Sequence, residues 1–135
     1  MILEHTGKTS SKRGTSPKDK IENSVRATGK AKGDVDILIN INYWNIHCGD
    51  GLYYGEGKGE IISKETGDMV EVTEYGVGRL HGQKTMWRGS AFYKTSPPLP
   101  SDAKKVLSSL HGMVGDFETE VDEFGNVTEK VWEWK

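Results

Sequence analysis

From residue 35 onward the chain alternates apolar and polar side chains: Val35, Ile37, Ile39, Ile41 and Tyr43 are separated by Asp36, Leu38, Asn40 and Asn42. Successive side chains of a β-strand point to opposite faces, so this period of two predicts a strand over 35–47 with one buried and one largely wet face. Turn signals bound this run and recur along the chain: Lys32-Gly33-Asp34, Cys48-Gly49-Asp50-Gly51, Thr66-Gly67-Asp68, His81-Gly82-Gln83 and Phe124-Gly125-Asn126. The segments between them predict strands at 1–9, 20–32, 35–47, 52–64, 68–80, 84–96, 112–122 and 127–135.

Strands of about twelve residues span ~40 Å, too long for a flat two-layer sheet in a chain of 135 residues. They have to coil. Glycines stand mid-strand where coiling needs them: Gly55, Gly57 and Gly59, then Gly76 and Gly78, then Gly89 and Gly115. The expected fold is all-β: a single antiparallel, mostly up-and-down barrel of about eight long strands, in which residues 1–135 form one domain without exposed strand edges.

Two segments break the pattern. After Ser96-Pro97-Pro98-Leu99-Pro100, a Ser101 N-cap, the apolar set Ala103, Val106, Leu107 and Leu110, and a stop at Gly112 predict one short amphipathic helix near 102–111, packed against a barrel mouth. Residues 8–20, KTSSKRGTSPKDK, carry no apolar periodicity and predict a flexible loop over about 9–20.

Within the first two glycine groups the spacing is two, so those glycines share one face of their strands, and the direction of that face decides what the interior is. Facing inward, they leave volume that is either filled by aromatic side chains such as Tyr43, Trp44, Trp87, Phe92, Phe117, Trp132 and Trp134, or left open for a ligand. Facing outward, they turn Tyr54, Glu56, Tyr75, Arg79 and Arg88 into a polar, charge-paired lining, and charged groups are seldom buried without a purpose. The candidate ligand-binding residues across both alternatives are Tyr43, Trp44, Tyr54, Glu56, Tyr75, Arg79, Trp87, Arg88, Phe117 and Trp132.

Composition narrows the classes of function. Lysine and arginine total 18 against 20 acidic residues, a net charge of -2 that gives no reason to expect nucleic acid or an anionic membrane as partner. A single cysteine, Cys48, excludes an intrachain disulfide and thiol-based zinc sites. The start Met1-Ile2-Leu3-Glu4-His5 lacks the apolar core of a signal peptide, so a soluble cytoplasmic protein is expected, and the sequon at Asn126-Val127-Thr128 reads as a turn.

Known catalytic patterns do not fit. Gly55-x-Gly57 is followed by Glu60, and Gly76-x-Gly78 by His81, where a dinucleotide fingerprint needs glycine; Gly7-Lys8-Thr9 has Ile2 where a phosphate loop needs one. His5, His47, His81 and His111 fall at different strand ends or loops without metal-ligand spacing, so neither metal nor cofactor is expected. Among the carboxylates, notably Glu71 and Glu74, the group Asp116, Glu118, Glu120 and Asp122 alternates with apolar neighbours and reads as a solvated stripe.

The runs Gly55-Glu56-Gly57-Lys58-Gly59 and Tyr75-Gly76-Val77-Gly78-Arg79, the block Trp87-Arg88-Gly89-Ser90 with Phe92-Tyr93, and the ending from Phe117 to Lys135 resemble a group of small archaeal and bacterial proteins without assigned activity. The resemblance covers roughly residues 50–135. In architecture the pattern is similar to calycin-like barrels, meaning lipocalins and fatty-acid-binding proteins, and to the allene oxide cyclase type; the lipocalin G-x-W is absent, as neither Gly7 nor Gly14 is followed by Trp two residues on. The leading expectation is a non-catalytic barrel for a small apolar or amphipathic ligand. The alternatives are a cyclase- or isomerase-like enzyme drawing charge from Glu56 or Arg88, and an interaction module that forms a homo-oligomer.

Overall fold

The computed structural model describes residues 3–13, 21–95 and 107–134. Eight strands, β1 (Leu3–Arg13), β2 (Ile21–Ala31), β3 (Val35–His47), β4 (Leu52–Ser63), β5 (Met69–His81), β6 (Lys84–Thr95), β7 (Val114–Val121) and β8 (Asn126–Glu133), pair antiparallel with their sequence neighbours. Pairing of β1 with β8 closes the ring.

The register fixes the shape. Cross-strand partners followed once around the wall lead from Asn45 through Gly55, Gly76, Gly89, Phe117, Val131, Leu3 and Ala31 to Val35, ten residues back along β3. With eight strands and ordinary strand spacing, this stagger tilts the strands by about 40° to the barrel axis, which is how strands of up to 13 residues fit so small a molecule.

The glycines face inward. Gly55, Gly57, Gly76 and Gly78 are buried, in phase with Ile61, Val70 and Val72, while Tyr75 and Val77 point out. The alternative of an interior lined by Tyr54, Glu56, Tyr75, Arg79 and Arg88 is overturned, because a strand with period two cannot present both sets to the core.

One end is filled. Ile37, Ile39, Ile61, Val70, Val72 and Val131, each at most 2% exposed, interdigitate there with Leu3, Ala31 and Ala91. Leu107 and Leu110, both 1% exposed, plug this end, fastened by the Leu107 backbone N–H, which donates to Asp68 Oδ2 at 2.9 Å. Of the helix expected near 102–111, residues 102–106 lie with the rest of 96–106 outside the described residues; in the described part Ser108–Leu110 form a single 3-10 turn, tied back to β6 through the Gly112 N–H to the Tyr93 carbonyl. The expected loop over 9–20 is also corrected, since β1 continues to Arg13 and pairs with β2 as far as Ile21; residues 14–20 lie outside the described residues.

Candidate functional site

At the opposite end the barrel is a cup. A cavity of about 260 Å³ opens between the end of β3, the start of β4, the end of β5 and the start of β6 on one side, and β1, β2, β7 and β8 on the other. Its wall includes Val25, Tyr53, Trp87, Phe117, Val121 and Val127, with Thr9, Asn23, Asn45, Thr85 and Thr119 as polar interruptions. Glu74 forms part of its floor.

Glycine makes room for the large side chains that shape this space. A Cβ on Gly78 would lie 2.6 Å from the Trp87 ring, and one on Gly76 would lie 2.8 Å from the Phe117 ring. The two alternatives for an inward glycine face therefore both hold in part: aromatics occupy much of the volume, and a cup remains.

The floor is set by one cross-strand row. Tyr43 on β3 opposes Gly57 on β4, and Gly57 opposes Glu74 on β5. With no Cβ at Gly57, where one would sit 2.3 Å from the Tyr43 ring, the phenol lies across β4 and its hydroxyl donates to Glu74 Oε2 at 3.2 Å. Ala91 opposes Glu74 on its other side, and this small side chain leaves the carboxyl space.

Beneath this row lies a second polar pair. His5 on β1 directly opposes Glu129 on β8, and His5 Nε2 bonds Glu129 Oε2; both side chains are at most 1% exposed. His5 Nδ1 has no side-chain or backbone partner within hydrogen-bond geometry, while the Glu129 carboxyl also meets Glu74 and Thr119.

Burial controls the ionisation of this cluster. Desolvation pushes Glu74 well above the ordinary carboxylate range, and the neighbouring Glu129 carboxylate pushes it further. Desolvation raises Glu129 to about 7, opposed by the nearby Glu74 and Thr119, and lowers His5 to about 4. The hydroxyls of Tyr43 and Tyr93 are pushed well up by burial and by the two carboxyls.

Burial thus favours the uncharged form of each of these groups, because an unbalanced buried charge is the costliest state. Among the described residues no three His, Cys, Asp or Glu side chains are grouped to hold a metal ion.

The residues singled out in the sequence divide between the two faces. Tyr43, Trp87 and Phe117 line the cup. Trp44 borders it, while its ring meets Tyr54 edge-on at a centroid distance of 5.8 Å. Tyr54, Glu56, Tyr75, Arg79, Arg88 and Trp132 belong to the outer phase, so their placement in the interior is corrected. There the Tyr54 hydroxyl donates to Glu56 at 2.9 Å, Arg88 pairs with Glu118 at 3.3 Å, and Tyr75 packs edge-on against Phe92.

Neither Glu56 nor Arg88 reaches this cavity, so neither can supply charge inside it. Asp116 and Glu118 are exposed, as the solvated stripe requires, and Glu120 pairs with Lys84 at 3.2 Å.

Sequence reasoning did not single out His5, Glu74 and Glu129 as a site. Their signal was phase: Glu74 falls in step with Val70, Val72 and Gly76, Glu129 with Val127 and Val131, and His5 with Leu3. An ionisable residue on the apolar phase of a strand is the mark of a buried polar site.

The architecture belongs to the closed, eight-stranded antiparallel barrels. Its fold is similar to the crystal structure of a conserved protein of unknown function from Rhodopseudomonas palustris, with a TM-score of 0.70, covering 98% of this chain and 93% of that one at 12% sequence identity. That identity carries the fold alone. No protein-family model matches the chain, and no curated protein matches it.

Proposed function

We propose that the protein binds a small, amphipathic molecule in the cup, with the polar end of the ligand on the Glu74–Tyr43 floor and its apolar part against Trp87 and Phe117. The observation that carries this reading is the cavity itself: about 260 Å³, with a mainly apolar and aromatic wall above a few convergent polar groups. Ligand pockets usually begin at about 300 Å³, so the occupant is compact, of the order of one substituted ring, with part of it reaching the mouth. The similarity to calycin-like barrels noted in the sequence supports the same reading, since barrels of eight strands hold one small ligand within the wall.

The test is NMR shift mapping with a panel of one-ring alcohols, amides and amines. Binding in the cup moves the backbone amides of Gly55, Gly76, Phe117 and Thr119, and Thr119→Phe, which fills the cavity, abolishes the shifts while the protein stays folded. Shifts confined to the outer Tyr75–Phe92 wall, or none with any compound, overturn the reading.

A further inference from the structure

We propose that the cup takes a small primary amine in its ammonium form, held by the Glu74 carboxylate and faced by the rings of Trp87 and Phe117; this rests on the binding reading above and names its ligand class.

The first argument is the charge of the lining. Among the described residues that border the cavity there is no lysine, arginine or histidine, and Glu74 is the one carboxyl. A carboxylate or phosphate ligand entering the cup meets an acid with no cation to offset it. Anions are therefore selected against at short range and low dielectric.

The second is a count of charges in the floor. The groups around Glu74 are Tyr43 beside it on β3, Tyr93 on β6, Glu129 on β8 and His5 on β1. They comprise two carboxyls and one imidazole, so full ionisation leaves the buried cluster one positive charge short. Without a ligand that deficit is covered by a proton on Glu74. An ammonium group covers it equally well, and its three N–H donors meet a floor where the Glu74 carboxyl and the Tyr43 hydroxyl present oxygen acceptors. A neutral alcohol brings one donor and no charge.

The third is the wall. Trp87, Phe117, Tyr43 and Tyr53 present ring surface around the same space, and the negative faces of aromatic rings attract a cation that has left water. A carboxyl beneath aromatic rings is an arrangement that favours an ammonium over its neutral isostere.

Binding is then an exchange: the ligand enters as R–NH3⁺, Glu74 ionises, and its proton leaves to the buffer. Titration calorimetry on the wild-type protein with benzylamine and its neutral isostere benzyl alcohol, in two buffers of different ionisation enthalpy, reads this directly. At pH 7 benzylammonium is expected to bind at least tenfold tighter than the alcohol and to release close to one proton. Its affinity rises by up to tenfold per pH unit until Glu74 is ionised, and falls once the amine itself deprotonates, somewhat below the range of a lysine ammonium.

Glu74→Gln, which keeps the shape of the side chain, should lower amine affinity at least tenfold and leave the alcohol within about threefold. Equal or tighter binding of the alcohol, or amine binding without proton release, overturns the proposal while leaving the binding reading intact. If neither compound binds the wild type and the wider panel is silent as well, both fall. Proton release and the amine-to-alcohol comparison are measured on the wild type, so they separate these outcomes even if the variant does not fold.

Discussion

The two halves of the barrel interior are built from the same eight strands and follow opposite rules. In the sealed half the inward phase carries branched aliphatic residues, Ile37, Ile39, Ile61, Val70, Val72 and Val131, and a leucine plug closes the end. In the open half the same phase carries Gly55, Gly76 and Gly78 with Trp87 and Phe117, which shape a wall without filling it. Cohesion is thereby concentrated in the sealed half, and the mouth keeps open space between its side chains. The polar layer of His5, Tyr43, Glu74 and Glu129 marks the boundary between them.

Strand β8 offers the sharpest comparison, because Val131 lies in the sealed half and Val127 lines the cup, with Glu129 between them. Val131→Ala should destabilise the protein by about 2.5 kcal/mol, since it opens a closed void, and Val127→Ala by about 1 kcal/mol, since it only enlarges an existing one. Denaturant unfolding of both variants checks this; equal losses would erase the distinction between the halves.

Gly57→Ala comes next in size. The new methyl meets the Tyr43 ring, and overpacking of that kind should lose about 2 kcal/mol. It should also shift the Tyr43 ring resonances, because the ring must leave the position from which its hydroxyl reaches Glu74.

A smaller effect is expected from pH. Glu129 has its folded pKa raised to about 7, so its contribution to stability is full below the ordinary carboxylate range and is lost as pH rises through 7. His5, lowered to about 4, acts in the opposite direction, losing stability as pH falls from its ordinary value towards 4. Between pH 5 and 6.5 the two slopes oppose each other at about 1 kcal/mol per pH unit each, so wild-type stability should be nearly flat there, and Glu129→Gln, which leaves only the histidine, should make it rise with pH. A wild-type curve rising with pH as steeply as the variant's would contradict the raised pKa.

The smallest effect belongs to the outer wall. Arg88→Gln breaks a pair with Glu118 in which the arginine side chain is 80% exposed, and should change stability by under ~0.5 kcal/mol. Ligand affinity should not move at all.

How much of this was legible in the sequence follows the same division. The alternation in β3 and the glycine-bearing turns placed every strand but β1 to within two residues at both ends, because period and turn chemistry are local. The extension of β1 to Arg13 was not local: Ser10, Ser11 and Lys12 have no apolar rhythm, and β2 imposes their pairing.

Tyr43, Trp87 and Phe117 were legible as interior candidates because large rings need burial. Glu74 and Glu129 carried only the signal of their phase, which marks burial but not which groups on the other strands they meet. The His5–Glu129 contact joins positions 124 residues apart, and no short-range pattern carries information over that distance.

That contact also lies on the ladder that turns a sheet into a ring. β1 and β8 share six residue pairs, fewer than any other neighbours in the barrel, and their opening would bare two long strand edges at once, the state from which chains add to one another edge to edge. The buried histidine–glutamate pair thus sits on the shortest seam of the ring, and charging Glu129 as pH rises weakens the barrel at that seam.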